Sequence, residues 1–211
     1  MRRHRHVALF ALIPALVLQG CAAIVGVGSV AAVSSLEDRR STGTQLDDSG
    51  IESRAAARIG ERIGERGHIT VTAFNRAILL TGEAWDEATR AEAEKLAAEV
   101  SNVRSVTNEI QVSGIASATS RANDAAITAR VKGGFMNTQG LNSLHVKVVT
   151  EAGVVYLLGL VTEAEAEKAT EIARTTGGVR KVIRVFEYCT DADERCRTAP
   201  APTEKPKPPR A

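Results

Sequence analysis

Three cysteines and four histidines are the side chains of this 211-residue sequence best suited to covalent or metal chemistry, and their spacing limits what that chemistry can be. Cys21 follows Leu18-Gln19-Gly20 at the point where an apolar run, Val7 to Leu18, stops. Met1-Arg2-Arg3-His4-Arg5-His6 precedes that run, so a basic head and an apolar middle read as an export signal; about a dozen apolar residues fall short of the roughly 20 that span a bilayer. In an exported chain Cys189 and Cys196 read as a small disulfide loop worth roughly 2 to 3 kcal/mol in the chain-entropy account, the alternative being that both stay free. His68 and His145 lack the second histidine, cysteine or carboxylate pattern that would complete a metal spacing, so no metal is expected. Gly26-x-Gly28-x-x-Ala31 formally matches a dinucleotide fingerprint, but no strand precedes it and no βαβ unit follows, so it cannot place glycines at the head of a helix after a strand.

The remaining composition narrows the function further. Net charge is +2 and aromatic residues make up 3%, with lysine and arginine dispersed, which argues against a nucleic-acid partner. No nucleophile elbow, paired-carboxylate cleft or P-loop is present, so the sequence predicts neither an enzyme nor a cofactor.

The elements that carry these residues come in two copies. His68 to Val112 repeats as His145 to Tyr188: 145 − 68 = 77, and the same step joins Leu80 to Leu157 and Gly82 to Gly159. Upstream, Asp48 to Asp124, Ile51 to Ile127 and Arg54 to Arg130 are 76 apart, as Val103 and Val179 are downstream. One folding unit has been used twice. In the first copy Ser49-Gly50-Ile51-Glu52 has the pattern of a capping box, and Ile51, Ala55, Ile59 and Ile63 form a helical stripe. Alternation from His68 to Phe74, a turn at Asn75-Arg76 and an apolar run from Ala77 to Thr81 predict a hairpin. Asp86 caps a second helix to Val100 with Trp85 packed at its start, and Val103 to Val112 gives a third strand. In the second copy Asp124 is expected to cap a helix with Ile127, Val131 and Phe135 inward. Leu144 to Thr150 and Val154 to Leu158 form its hairpin, Thr162 to Glu165 a capping box, and Val179 to Tyr188 its last strand. Gly82 and Gly159 are expected where the second strand leaves the sheet. Each unit is thus α+β, ordered αββαβ, a three-stranded mixed sheet covered on one face by two helices. The predicted segments are 1–20 signal, 21–45 stalk and linker, 46–114 first unit, 115–122 linker, 123–190 second unit and 191–211 a disordered proline-rich tail.

Leu18-Gln19-Gly20-Cys21 resembles the lipobox of bacterial lipoproteins, which implies that the Cys21 thiol is acylated after export. Ala22, not Asp, follows it, which by the sorting rule of such lipoproteins implies an outer-membrane location on the periplasmic face. The αββαβ units, with Gly82 and Gly159 after the second strand, resemble the BON domain. Together with Gly43-Thr44-Gln45-Leu46-Asp47-Asp48, Asp124-Ala125-Ala126-Ile127 and Leu158-Gly159-Leu160-Val161-Thr162-Glu163, they are similar to the two-BON outer-membrane lipoproteins. That resemblance implies a non-enzymatic protein binding anionic phospholipid (phosphatidylglycerol or cardiolipin) through the first helix of the second unit, and supporting envelope integrity and outer-membrane protein assembly. Arg130, Lys132, Phe135 and Met136 match the basic and large apolar positions of that helix. Ala126 stands where a member of the family carries tryptophan, and Gly133-Gly134 is expected to end or loosen the helix. The alternative is a scaffold that docks on the outer-membrane assembly machinery without touching lipid.

Overall fold

Ile51, Ala55, Ile59 and Ile63 do line one buried helical face, but the helix that carries them is longer than its stripe. A computed structural model describes residues 38–114, 116–190 and 192–196. The signal, Cys21, the stalk to residue 37 and the expected tail from 197 on lie outside the described residues; its expected start is corrected, because residues 192–196 are placed, with Cys196 buried. Helix α1 runs Thr42–Ile63, followed by strands β1 (Gly67–Phe74) and β2 (Ala77–Ala84), α2 (Glu87–Ala98), β3 (Ser105–Asn108) and β4 (Gln111–Val112). The second repeat gives α3 (Ala118–Met136), β5 (Val146–Glu151), β6 (Val154–Val161), α4 (Glu163–Thr175) and β7 (Lys181–Tyr188). In each repeat the hairpin is antiparallel and the last strand adds in parallel to the second, so the order is β1-β2-β3 with β4 also on β2, and β5-β6-β7. The expected third strand of the first repeat is interrupted at Glu109-Ile110, whereas β7 is continuous.

Two expected caps turn out to be something else. Ser41, not Ser49, caps α1, accepting from the Thr44 amide at 3.1 Å; the Ser49 hydroxyl donates to the Gln45 carbonyl inside the helix. Ser117 caps α3, so both α1 and α3 start inside stretches expected to be linker. Asp124, expected as a cap, and its equivalent Asp48 are buried within their helices and hold the hairpin turns. Asp48 accepts from the Asn75 and Arg76 amides, both at 2.7 Å, and Asp124 from the Ala152 and Gly153 amides at 2.9 and 2.8 Å. These turns need holding: Asn75, Arg76 and Ala152 all have positive φ, which costs a residue with a Cβ about 1 kcal/mol or more. The caps of α2 by Asp86 and of α4 by the Thr162–Glu165 box are as expected.

β2 and β6 continue through Gly82 and Gly159 instead of leaving the sheet there. A Cβ at either glycine would collide with the carbonyl oxygen of His68 or His145 on the neighbouring strand, so glycine serves close approach within the ladder. On one face each sheet packs against its two helices. The other faces pack on each other: Phe74 and Leu79 form one buried cluster with Val154, Tyr156, Leu158, Leu160 and Cys196. β2 and β6 are buried on both sides, which is why they read as continuous apolar runs. Trp85 does not pack at the start of α2 but stands 60% exposed.

The seam between the sheets also holds carboxylates. Glu83 is 5% exposed and its Oε2 has no hydrogen-bond partner among the described residues. Glu151, from the second repeat, is pushed up to about 7 by burial first and then by the negative charges of Glu83 and Asp124, with Arg121 pulling the other way. Burial, aided by Glu109 and Glu151, likewise raises Tyr156 to about 12.

Candidate functional site

At four-residue spacing Ile127, Val131 and Phe135 turn one side of α3 into the second core, and all three are fully buried. Phe135 thus keeps its expected place on the inward stripe and loses its expected place among the phospholipid-binding residues: at 0% exposure it is a core residue and cannot meet a ligand while the helix stays packed. Nor do Gly133 and Gly134 end the helix, which continues to Met136. A Cβ on Gly134 would lie 2.6 Å from the Ile172 side chain of α4, so the absence of a side chain lets the two helices close up. Tertiary contact outweighs the roughly 1 kcal/mol that a glycine costs a helix.

The opposite side of α3 faces solvent. At about 100° per residue, Ala118, Ala122, Ala125, Ala126, Ala129, Gly133 and Met136 follow one another along the outward ridge. All but the half-buried Gly133 are exposed. Arg130 and Lys132, two residues apart, are about 200° apart around the axis and therefore flank this ridge on opposite sides. Both are exposed, and neither makes a hydrogen bond or ion pair among the described residues. Met136 closes the ridge at 72% exposure, on the Lys132 side. Of the four expected site residues the fold thus presents Arg130, Lys132 and Met136 to a common approach direction and withdraws Phe135. The alanine ridge between the cations was not legible as a site, because small residues leave no amphipathic signal. What the arrangement can do is let a flat surface come close while two free cations reach headgroup phosphates beside it.

The other candidates are structural. Cys189 and Cys196 are joined in a disulfide, with Cys196 buried in the inter-sheet cluster. His145 Nδ1 lies 3.3 Å from Glu165 Oε1, and Arg39 binds the same carboxylate at 2.6 and 3.0 Å. Burial alone would raise Glu165, but the hydrogen bonds from His145, Arg39 and the Thr162 amide outweigh it and hold this carboxyl well below the usual range. Among the described residues no three His, Cys, Asp or Glu side chains converge as a metal site, and no helix is long and apolar enough to cross a membrane.

The family model for the BON domain matches residues 47–114 and 123–190. The chain is 37% identical over 174 residues to the outer membrane lipoprotein DolP of Haemophilus influenzae, covering 81% of this chain and 90% of that protein. It is 35% identical over 153 residues to the 21 kDa hemolysin of Actinobacillus pleuropneumoniae, covering 72% and 79%. To the osmotically-inducible protein Y of Escherichia coli it is 31% identical over 144 residues, covering 66% and 72%.

Proposed function

Because the chain belongs to the BON-domain family, with both repeats matched, we propose that it is a non-enzymatic outer-membrane lipoprotein that binds anionic phospholipid through the outer ridge of α3. The name of its Haemophilus relative supports the location, and the sequence around Cys21 supports the anchor. On this reading acyl chains on the Cys21 thiol hold the protein at the periplasmic face of the outer membrane, each buried methylene contributing about 0.8 kcal/mol. The folded repeats then add a second, weaker contact with phosphatidylglycerol or cardiolipin, and through it support envelope integrity and outer-membrane protein assembly.

The observation that supports the lipid reading is the pair of cations, Arg130 and Lys132, that have no partner among the described residues and lie on either side of a ridge with almost nothing projecting from it. A cation near an anionic surface contributes about 1 kcal/mol, so the Arg130→Gln/Lys132→Gln chain should lose about 2 kcal/mol, close to 30-fold in vesicle affinity. Flotation of the Cys21→Ser chain with phosphatidylglycerol vesicles, with and without the double change, measures it. A Cys21→Ser chain that stays in the buffer irrespective of vesicle charge would leave the scaffold reading instead.

A further inference from the structure

Lys132 and Met136 stand at one end of the folded repeats, and the segment coming from the anchor joins them at that same end. Arg39 Nη1 lies 2.9 Å from the Leu160 carbonyl, at the finish of β6, and also holds Glu165. Arg40 reaches Asp48 Oδ2 at 2.8 Å and stacks 4.1 Å above the Phe74 ring, beside the β1–β2 turn. That turn lies against the finish of β7: Asn75 Nδ2 is 2.7 Å from Glu187 Oε2, and Arg104 pairs with the other oxygen of Glu187. The registers Val146↔Gly159 and Val161↔Tyr188 bring the start of β5 and the finishes of β6 and β7 to this end. Asp124 is pinned to the Ala152-Gly153 turn at the far end, and Met136 is 136 − 124 = 12 residues on, about 18 Å along the helix.

Large apolar side chains are exposed here on several elements at once: Met136 after α3, Leu144 before β5, Tyr188 at 51% on β7, and Leu46 on α1 next to Asp47, which pairs with Arg76 at the hairpin turn. We propose that this end is the face set down on the anionic bilayer, with Met136, Leu144 and Tyr188 entering the headgroup region and Leu46 beside them. The proposal rests on the lipid-binding reading above and extends the contact from one helix to both repeats.

Two observations favour a bilayer as the occupant. From Cys21 to Asp38 is 38 − 21 = 17 residues, a reach of at most about 60 Å, and this leash joins the unit at the apolar end. A short leash raises the effective concentration of whatever lies at its root. Most acids at this end are already paired, Asp47 with Arg76, Glu165 with Arg39 and Glu187 with Arg104, so they repel anionic lipid little. Glu163 and Glu167 on the first turns of α4 have no such partner among the described residues, so apolar insertion carries more of this contact than charge does.

Trp85, the sole tryptophan, is exposed at the opposite end, where Ala84 pairs with Val112, and serves as an internal control. The acylated full-length protein is anchored in phosphatidylcholine vesicles with or without phosphatidylglycerol, one leaflet lipid carrying brominated chains. Native Trp85 should keep its emission. Tyr188→Trp in a Trp85→Phe background should lose about half or more in phosphatidylglycerol vesicles, since interfacial side chains reach roughly 5–10 Å into the acyl boundary. Quenching of Trp85 with Tyr188→Trp unaffected would overturn the proposal. Quenching only of a third reporter, Ala129→Trp on the α3 ridge, would overturn it while sparing the lipid reading; no quenching at any of the three would overturn both.

Discussion

Replacing Glu151 by glutamine tests whether the two repeats share a carboxylate seam. The Glu151 carboxyl, ordinarily near 4.5, is raised to about 7 by burial and by Glu83 and Asp124, a displacement of 7 − 4.5 = 2.5. At about 1.4 kcal/mol per pH unit the full linkage would be about 3.5 kcal/mol, but the group is only half-buried, and solvent screening brings the expected effect to about 1.5 kcal/mol. A carboxyl raised in the folded state favours folding only while protonated. Its contribution is complete below pH 4.5, drains away as pH rises toward about 7, and stays lost above that. Glu165 acts in the other sense: its lowered carboxyl stabilises the fold above pH 4.5 and withdraws that support only below it, outside this window. Urea unfolding followed by circular dichroism at pH 4.5, 6 and 7.5, extrapolated linearly to water, should show the wild-type chain losing about 1.5 kcal/mol across the range. Glu151→Gln should match it at pH 4.5 and exceed it by about the same amount at pH 7.5. Parallel pH curves for the two proteins would refute the assignment of the proton to this seam.

Two further outcomes follow from the packing. Asp48→Ala and Asp124→Ala should each cost about 2–4 kcal/mol by urea unfolding, since either change strands two turn amides that the helix was holding. Phe135→Ala should cost about 3–5 kcal/mol and Met136→Ala less than about 0.5 kcal/mol in thermal unfolding, although the two residues are adjacent; equal costs would mean that α3 is rotated from the face described.

The repeat, the helical stripes and both hairpins are legible because they depend on neighbours within a few residues, as do the caps Asp86 and Thr162. The misread residues depend on partners far along the chain. Asp124 is expected from its neighbours to be an N-cap, but the amides that it and its equivalent Asp48 serve lie 27 to 29 residues on, across the hairpin. Gly133-Gly134 carries a local signal to stop, overridden by Ile172 of another helix. Gly82 and Gly159 mark a close approach between strands that resembles a strand exit when only the sequence is in view. Trp85 violates the habit of large aromatics to bury, standing 60% exposed in the bend between β2 and α2.

Duplication explains why one of the four helices among the described residues is the lipid candidate. Once the two sheets cover each other's second faces, the outer sides of the helices are the surfaces left free to diverge. α1 and α3 occupy equivalent places, and at the 76-residue step Arg54 corresponds to Arg130 while Ala56 and Gly60 correspond to Lys132 and Met136. α1 therefore offers a ridge with a cation on one flank and no apolar tip; α3 has cations on both flanks and Met136 at its end. Elsewhere on the first repeat Arg58 and Arg62 face Glu99 and Glu92, so their charge is spent within the protein. Among the positions at which α3 departs from α1, Val131 and Phe135 in place of Ala55 and Ile59 fill the core, whereas Lys132 and Met136 in place of Ala56 and Gly60 are exposed and contribute nothing to it. Core packing accounts for the first pair of differences and not for the second, so the added cation and the apolar end of α3 are the features on which the lipid-binding proposal rests.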